Sequence, residues 1–373
     1  MAAHLCRCEG TSDMIYLDYQ ATTPLAPEAR EAMLPWLTAE GSANPHSSHV
    51  PGRSAKAAVE VAREQVAALL PAGGRVFFTS GATEAINWAL SGSGARRIAA
   101  VATEHAAVLD TVQCMARRGH DVTLLPVDGE GLVDGGASPN GFDLLAVMLV
   151  NNEIGTIQPV AELASKAKGA LILCDAVQGF GRVAIPHGCD MIAVSAHKIH
   201  GPKGIGALWV REGVKIDPLM YGGGQEGGLR SGTLSPALCA GFGAASVLAK
   251  SRMAEDAAHV EHLWALATAR LGSQWHINGA TGARWHGNLN IRRDGLDAAR
   301  LISGLRDIAF SVGSACASGS GRPSHVLKAI GLTDSEARSS IRLGFGRYTT
   351  EDELTHAIDR VVATGDAQAR IAA

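Results

Sequence analysis

This 373-residue chain has no run of 18 or more apolar residues, so no membrane-spanning helix is expected. It has no basic excess: 33 Lys and Arg stand against 36 Asp and Glu, a formal net charge of −3. A nucleic-acid binder, whose phosphate contacts need such an excess, is therefore not expected. The N-terminus, MAAHLCRCEGTSD, lacks an apolar h-region and a cleavage pattern, so no secretory signal is read and the expected location is the cytoplasm. Charged residues make up only 18% and apolar residues 46%, which excludes disorder and leaves material for a large core. Seven scattered cysteines, an odd number, form no disulfide framework and suit a reducing compartment. Only Cys6 and Cys8 lie close together, and two ligands without a second pair fall short of a structural metal site. A frayed extension is the reading there, and no metal is expected. Repeats and low-complexity tracts are absent.

Short apolar runs alternate with helix-like segments from about residue 76 to 210. Val76–Thr79, Ile98–Ala102, Val122–Val127, Leu144–Val150, Leu171–Cys174, Met191–Val194 and Ile205–Val210 read as strands. Several are apolar at every position, which suits burial on both faces. Helices are predicted between them over Ala82–Leu90, Ala106–Arg118 and Val160–Ala167. The alternation predicts an α/β fold with a mostly parallel sheet and active groups at its carboxyl ends. A glycine-dense loop, Leu219–Gly232, precedes an Ala-rich helix over about Pro236–Lys250. After residue 251 the pattern changes to a long helix and short strands (His276–Asn278, Asn288–Ile291, Ile341–Phe345), and Thr350–Glu353 forms a capping box before a last helix. Residues 15–250 are thus expected to form a large domain and 251–373 a smaller α+β domain, with the stretch before about residue 25 packing on the smaller one.

Five segments carry chemistry. Lys198 follows an apolar strand in MIAVSAHKIHGPKGIG, between two histidines. It is either a surface charge or a buried amine, which loses its proton readily and attacks carbonyls. Asp175 ends the apolar run LILCD; it is either a helix cap or the partner of a cation such as a pyridinium nitrogen, with Gln178 within reach of a phenolic oxygen. FFTSGATEA runs from strand into helix and offers backbone N–H groups and a helix dipole to a phosphate, or simply caps a turn, and it carries no GK[ST]. His105, after a strand, is either an ordinary histidine or a plate for an aromatic cofactor. Cys316 sits among Gly, Ala and Ser in FSVGSACASGS, where nothing bulky buries it; a nucleophilic thiol needs such exposure.

The order of these elements resembles the cysteine desulfurases, fold-type I pyridoxal-phosphate (PLP) enzymes of the class V aminotransferase group. The matching stretches are IYLDYQATTP (15–24), NPHSSHVPGR (44–53), FTSGATEAIN (78–87), TEHAAVLDT (103–111), VNNEIGTIQP (150–159), CDAVQG (174–179), SAHKIHGPKGIGAL (195–208), GGGQEGGLRSGT (222–233), GSACASG (313–319) and SSIRLGFGRYTT (339–350). They span nearly all of the chain after residue 14. The resemblance implies a fold-type I large domain that binds pyridoxal 5′-phosphate, and a small C-terminal domain carrying the cysteine loop. Lys198 would hold the cofactor covalently, Asp175 its pyridine nitrogen, Gln178 its phenolic oxygen, and His105 would stack on the ring and shuttle protons. Ala82, Thr83, Ser195 and His197 would hold the phosphate, with Thr233 arriving from the other subunit of a homodimer. Asn152 and Arg342 would orient the substrate, Arg342 by a bidentate grip on its carboxylate. Cys316 would take the sulfur of L-cysteine as a persulfide, releasing L-alanine, for iron–sulfur cluster assembly or another sulfur-transfer pathway.

Two departures bear on the expected partner, a sulfur-acceptor protein. The spacing from Asp175 to Lys198 is 23 residues, tighter than in long members, and implies only a trimmed surface loop. The chain ends soon after its last helix pattern, without the extension by which long members dock a scaffold, which leaves the acceptor open. The stretch Cys316–Pro323 has the long-loop form whose persulfide reaches partners directly. A selenocysteine lyase or another class V activity is the alternative; simple aminotransfer has no need of Cys316.

Overall fold

The computed structural model describes residues 14–133, 141–312 and 323–372. Cys6, Cys8 and Cys316 lie outside the described residues. The strands are β1 (Ile15–Tyr16), β2 (Gly74–Thr79), β3 (Arg97–Val101), β4 (Asp121–Leu125), β5 (Leu144–Met148), β6 (Leu171–Asp175), β7 (Met191–Ser195), β8 (Gly206–Arg211), β9 (His276–Ile277), β10 (Asn288–Arg292), β11 (Ile308–Ala309) and β12 (Ser340–Gly344). Among the described residues, seven of them form the main sheet in the order β2-β8-β7-β6-β5-β3-β4. β8 runs antiparallel to β2 on one side and β7 on the other; β7, β6, β5, β3 and β4 pair in parallel. The fold is α/β with a mixed, mostly parallel sheet.

Residues that are apolar at every position sit in the middle of this sheet. All five positions of β5 and of β7 are buried. Alternate side chains go to opposite faces, as the strand period requires. Leu145, Val147, Ile172 and Ile192 pack on one face with Val59 and Phe242 from the helices Val50–Ala67 and Pro236–Ala269. Leu144, Ala146, Leu173 and Met191 pack on the other with Ile86, Trp88 and Val112 from the helices Ala82–Gly92 and Ala106–Arg117. At the edge, β4 alternates imperfectly and leaves Leu124 exposed.

The helix Pro236–Ala269 is continuous across residue 250, where the sequence pattern changes. Its first half buries small residues such as Gly241, Gly243 and Ala245, and its second half buries Val260 and Leu263. No glycine or proline interrupts it between Gly243 and Ala269, so the change of composition marks a change of packing partner within one helix. Beyond it, β9, β10 and β12 form an antiparallel sheet. β1 pairs in parallel with β11, and Asp18 bridges to Gly344, so the N-terminal segment lies along the C-terminal part of the chain. Thr350 and Glu353 make the reciprocal hydrogen bonds of the capping box. Among the described residues, no helix is long and apolar enough to cross a membrane, and no cluster of His, Cys, Asp or Glu could hold a metal ion.

Candidate active site

Because β2 runs parallel to β7, the carboxyl ends of β2, β3, β5, β6 and β7 share one side of the sheet. The turns leaving those ends carry Ala82 and Thr83, His105, Asn152, Asp175 and Gln178, and Ser195, His197 and Lys198. With Arg342 from β12 they wall one cavity of about 520 Å³. Ten residues read from sequence thus converge on a single site.

Lys198 ends a 3₁₀ turn that follows β7 directly. Its Nζ donates to the carbonyls of Gln20 (2.5 Å) and Ala21 (2.8 Å), which the N-terminal segment lays across the cavity. Burial, then the cations Arg182 and Arg342, pull the amine down to about 7, against the opposing pull of Asp18 and Asp175. A lysine so placed is neutral far more often than one in water. The next turn is fixed by the same N-terminal segment: His200, at φ 67°, accepts no freedom there, because its N–H donates to Thr23 Oγ1 and its carbonyl accepts from Ala26.

Asp175 closes β6 and is buried; its Oδ1 accepts the Val177 N–H at 3.0 Å. Burial pushes its carboxyl up, while His105, that N–H bond and Lys198 pull it back. Behind it lies Glu104, 1% exposed, whose Oε1 accepts the N–H of Met148, the residue paired with Asp175 across β5 and β6. Burial first, and the Asp175 charge second, hold Glu104 well above the carboxylate range. Burial raises both adjacent acids, Glu104 well above its usual range, and of the two it is Asp175 that lines the cavity.

His105 caps the helix Ala106–Arg117, and its Nδ1 accepts the Ala107 N–H at 3.0 Å. A backbone N–H can only donate, so Nδ1 is the unprotonated nitrogen and Nε2 carries the ring proton. At the other end of the cavity, the helix Ala82–Gly92 starts at Gly81 with no side chain capping its first N–H groups. Gly206 touches that turn: a Cβ there would come within 2.8 Å of the Gly81 Cα, so only glycine lets β8 pass. Ser195, Lys203 and His197 lie nearby on the wall, and burial, with Lys198 and Lys203, pushes His197 down to about 4.

The family model for aminotransferase class-V matches residues 15–356. Cysteine desulfurase IscS of Rickettsia bellii is 43% identical over 366 residues, covering 92% of this chain and 89% of that protein. The same-named protein of Rickettsia akari is 41% identical over 374 residues, covering 94% and 91%. A solved NifS-like protein superposes with a TM-score of 0.86 at 33% identity, over 94% of this chain and 99% of the other. SspA, solved in complex with cysteine, gives 0.78 at 32% identity, over 90% and 99%. This chain belongs to the class V aminotransferase family, among the cysteine desulfurases.

Enzymes of this family use pyridoxal 5′-phosphate, and the cavity suits it. Its donor set is an amine of lowered pKa, a buried carboxylate with one oxygen left uncommitted by the backbone, and an uncapped helix start flanked by hydroxyl and cationic groups. Arg342 is more committed than its sequence suggests: Nη2 donates to Asp18 Oδ1 at 2.7 Å and Nη1 to the Asn152 carbonyl at 2.9 Å. Its Nε is buried and has no hydrogen-bond partner among the described residues.

Thr233 is exposed and does not line this chain's own cavity. Its loop is pinned at two points, by Glu226, which accepts from Nη1 and Nη2 of Arg63 at 2.7 Å each, and by Arg230 on Glu84. Cys316 lies outside the described residues, but both flanks of its segment are attached to the site. Ser311 pairs backbone to backbone with Arg342, and His325 Nε2 lies 2.8 Å from the Glu104 carbonyl. Sequence reasoning missed the Gln20 and Ala21 carbonyls, Asp18, Glu104 and Arg182. Asp18 and Glu104 lie inside recognised motifs, and Arg182 follows Gln178 at a helical spacing of four, which is the only signal that could have found it.

Proposed function

We propose that this protein takes the sulfur atom from L-cysteine, leaving a persulfide on Cys316 and releasing L-alanine. The observation that carries the reading is that Lys198, an amine of lowered pKa, and the buried Asp175 share the wall of one cavity. Lys198, Asp175, Gln178 and His105 would hold pyridoxal 5′-phosphate by its ring, and the turn at Ala82–Thr83, Ser195 and His197 by its phosphate. When bound, the cofactor supplies an electron sink for the pair left when the substrate Cα–H bond breaks.

The residues then divide the work. Lys198, half-neutral near pH 7, takes the Cα proton at Nζ and later returns a proton to the carbon fragment. Asp175 would face the ring nitrogen and favour its protonated form. His105 is oriented by the Ala107 N–H that its Nδ1 accepts, which sets the ring at the cavity wall. A substrate carboxylate can take the orphaned Nε of Arg342 or displace Asp18 from Nη2. The Cys316 thiolate attacks the substrate Sγ: an S–S bond forms, the Cβ–S bond breaks, and its electron pair stays with carbon, which is protonated and leaves as L-alanine.

Cys316 is five residues from Ser311, which pairs with Arg342 of the cavity wall. Its persulfide would pass to a sulfur-acceptor protein. A homodimer with Thr233 entering the neighbour's phosphate end accounts for why this loop is held away from its own cavity. A cytoplasmic location accords with seven scattered cysteines that form no disulfide framework. Incubating the purified protein with L-cysteine and a thiol reductant, which releases persulfide sulfur as sulfide, and assaying alanine and sulfide tests the reading; alanine without sulfide under these conditions, or neither product, overturns it.

A further inference from the structure

Arg182 does not touch the cofactor cavity, yet every hydrogen bond it makes goes to a residue that does. Its Nη1 donates to Gln178 Oε1 at 2.8 Å and also to the Gln178 carbonyl, and its Nη2 donates to the Lys198 carbonyl at 2.7 Å. No carboxylate among the described residues pairs with it. The face of Trp285 lies 5.9 Å away, and Asp256 and Tyr19 favour the charged form of Arg182 from a distance. Burial and the neighbouring Arg347, itself paired with Asp256, pull even this guanidinium down to about 10. An unpaired, poorly hydrated cation is costly unless its position serves something else.

We infer that Arg182 is a positioning residue for the cofactor site: it fixes which edge of the Gln178 amide faces the cavity, and it sets the charge environment of Lys198. With Oε1 held by Arg182, the polar atom Gln178 has left is Nε2, a donor, which also bonds the Gln20 carbonyl at 2.9 Å. That carbonyl is the one Lys198 Nζ bonds, so Arg182, Gln178, Gln20 and Lys198 form one connected network. Around Lys198, Arg342 and Arg182 are the cations that disfavour its protonated form, and Asp18 and Asp175 the anions that favour it. His105, His197 and Lys203 share the cavity wall, and His200 flanks the same turn. Arg182 acts before Arg342 in that balance. The inference rests on the reading of Lys198 and Gln178 as cofactor-holding residues.

The test compares Arg182→Met, Arg182→Lys and Arg182→Gln in the full chain. The first readout is the pH midpoint for acetylation of Lys198 in cofactor-free protein, followed by mass spectrometry of its peptide. Wild type should give a midpoint near 7. Arg182→Met and Arg182→Gln should move it up by about one pH unit, and Arg182→Lys, which keeps the charge, should not. The second readout is the absorption maximum of the cofactor-loaded protein. Arg182→Met should shift it as Gln178→Ala does, the double variant should shift it no further, and Arg182→Lys should restore it only partly. Should the Met variant fail to fold, the Gln and Lys variants decide alone. An unchanged midpoint and spectrum in the neutral variants, or equal shifts in Arg182→Lys, overturn the inference. Mapping of the cofactor to a lysine other than Lys198 would instead overturn the reading beneath it.

Discussion

Arg342, 1% exposed, donates its Nη2 to Asp18 at 2.7 Å across 324 positions of sequence, joining β12 to the N-terminal segment that covers Lys198. The pair does two things at once. It neutralises the cation best placed for a substrate carboxylate, and it sets an anion opposite Lys198. Asp18→Ala should therefore destabilise the protein by about 2–4 kcal/mol, because it leaves a buried guanidinium unpaired. Asp18→Asn should cost less and should lower the Lys198 midpoint further. Denaturant unfolding and Lys198 labelling against pH check both. Arg342→Lys should raise KM for L-cysteine by about 10- to 100-fold, since a point charge cannot replace the planar fork.

The depressed pKa of Lys198 also predicts a dependence of stability on pH. The unfolded amine binds its proton up to about 10.5, the folded one only up to about 7. Between these values the unfolded state holds more protons, so folding stability of the cofactor-free chain should rise with pH from 7 to 10.5 and fall as pH drops toward 7. The contribution is on the order of a few kcal/mol. Lys198→Met should remove this slope, and a wild-type slope retained in the variant would contradict the assignment.

Glu104 is expected to work as a neutral acid. Glu104→Gln keeps an acceptor for the Met148 N–H and should change stability by less than about 1 kcal/mol. Glu104→Ala leaves that N–H buried and unpaired and should cost about 1–3 kcal/mol. Thermal unfolding of the two variants separates them, and equal losses would mean that Glu104 acts as a charged group.

The strands were legible because β5, β6 and β7 are apolar where a doubly covered strand must be, and Asp175 and Lys198 were legible because each breaks such a run. What connects them was not. Lys198 Nζ is held by the Gln20 and Ala21 carbonyls, and every residue has a carbonyl, so no side chain marks those positions. Arg182 and Glu104 act through contacts that only the folded sheet creates. Arg342 was placed correctly in the wall, but its commitment to Asp18 depends on β12 meeting the N-terminal segment, which neither local pattern encodes. The composition change near residue 250 marked a new packing partner within one helix.

If Thr233 serves the neighbour's site, chains carrying Lys198→Ala and chains carrying Thr233→Ala should complement. A mixed dimer should hold one doubly damaged site and one intact site, so mixing should restore activity above that of either variant alone. Sedimentation should show a dimer for the active species. A fully active monomer contradicts this arrangement.

The most direct test of the central claim follows the sulfur itself. After brief treatment with L-cysteine, intact-mass and peptide mass spectrometry should find one added sulfur on the peptide holding Cys316, and Cys316→Ala should bind the cofactor and substrate yet form no persulfide and release little alanine. Added sulfur on a different peptide, or near-normal turnover in Cys316→Ala, would contradict the account.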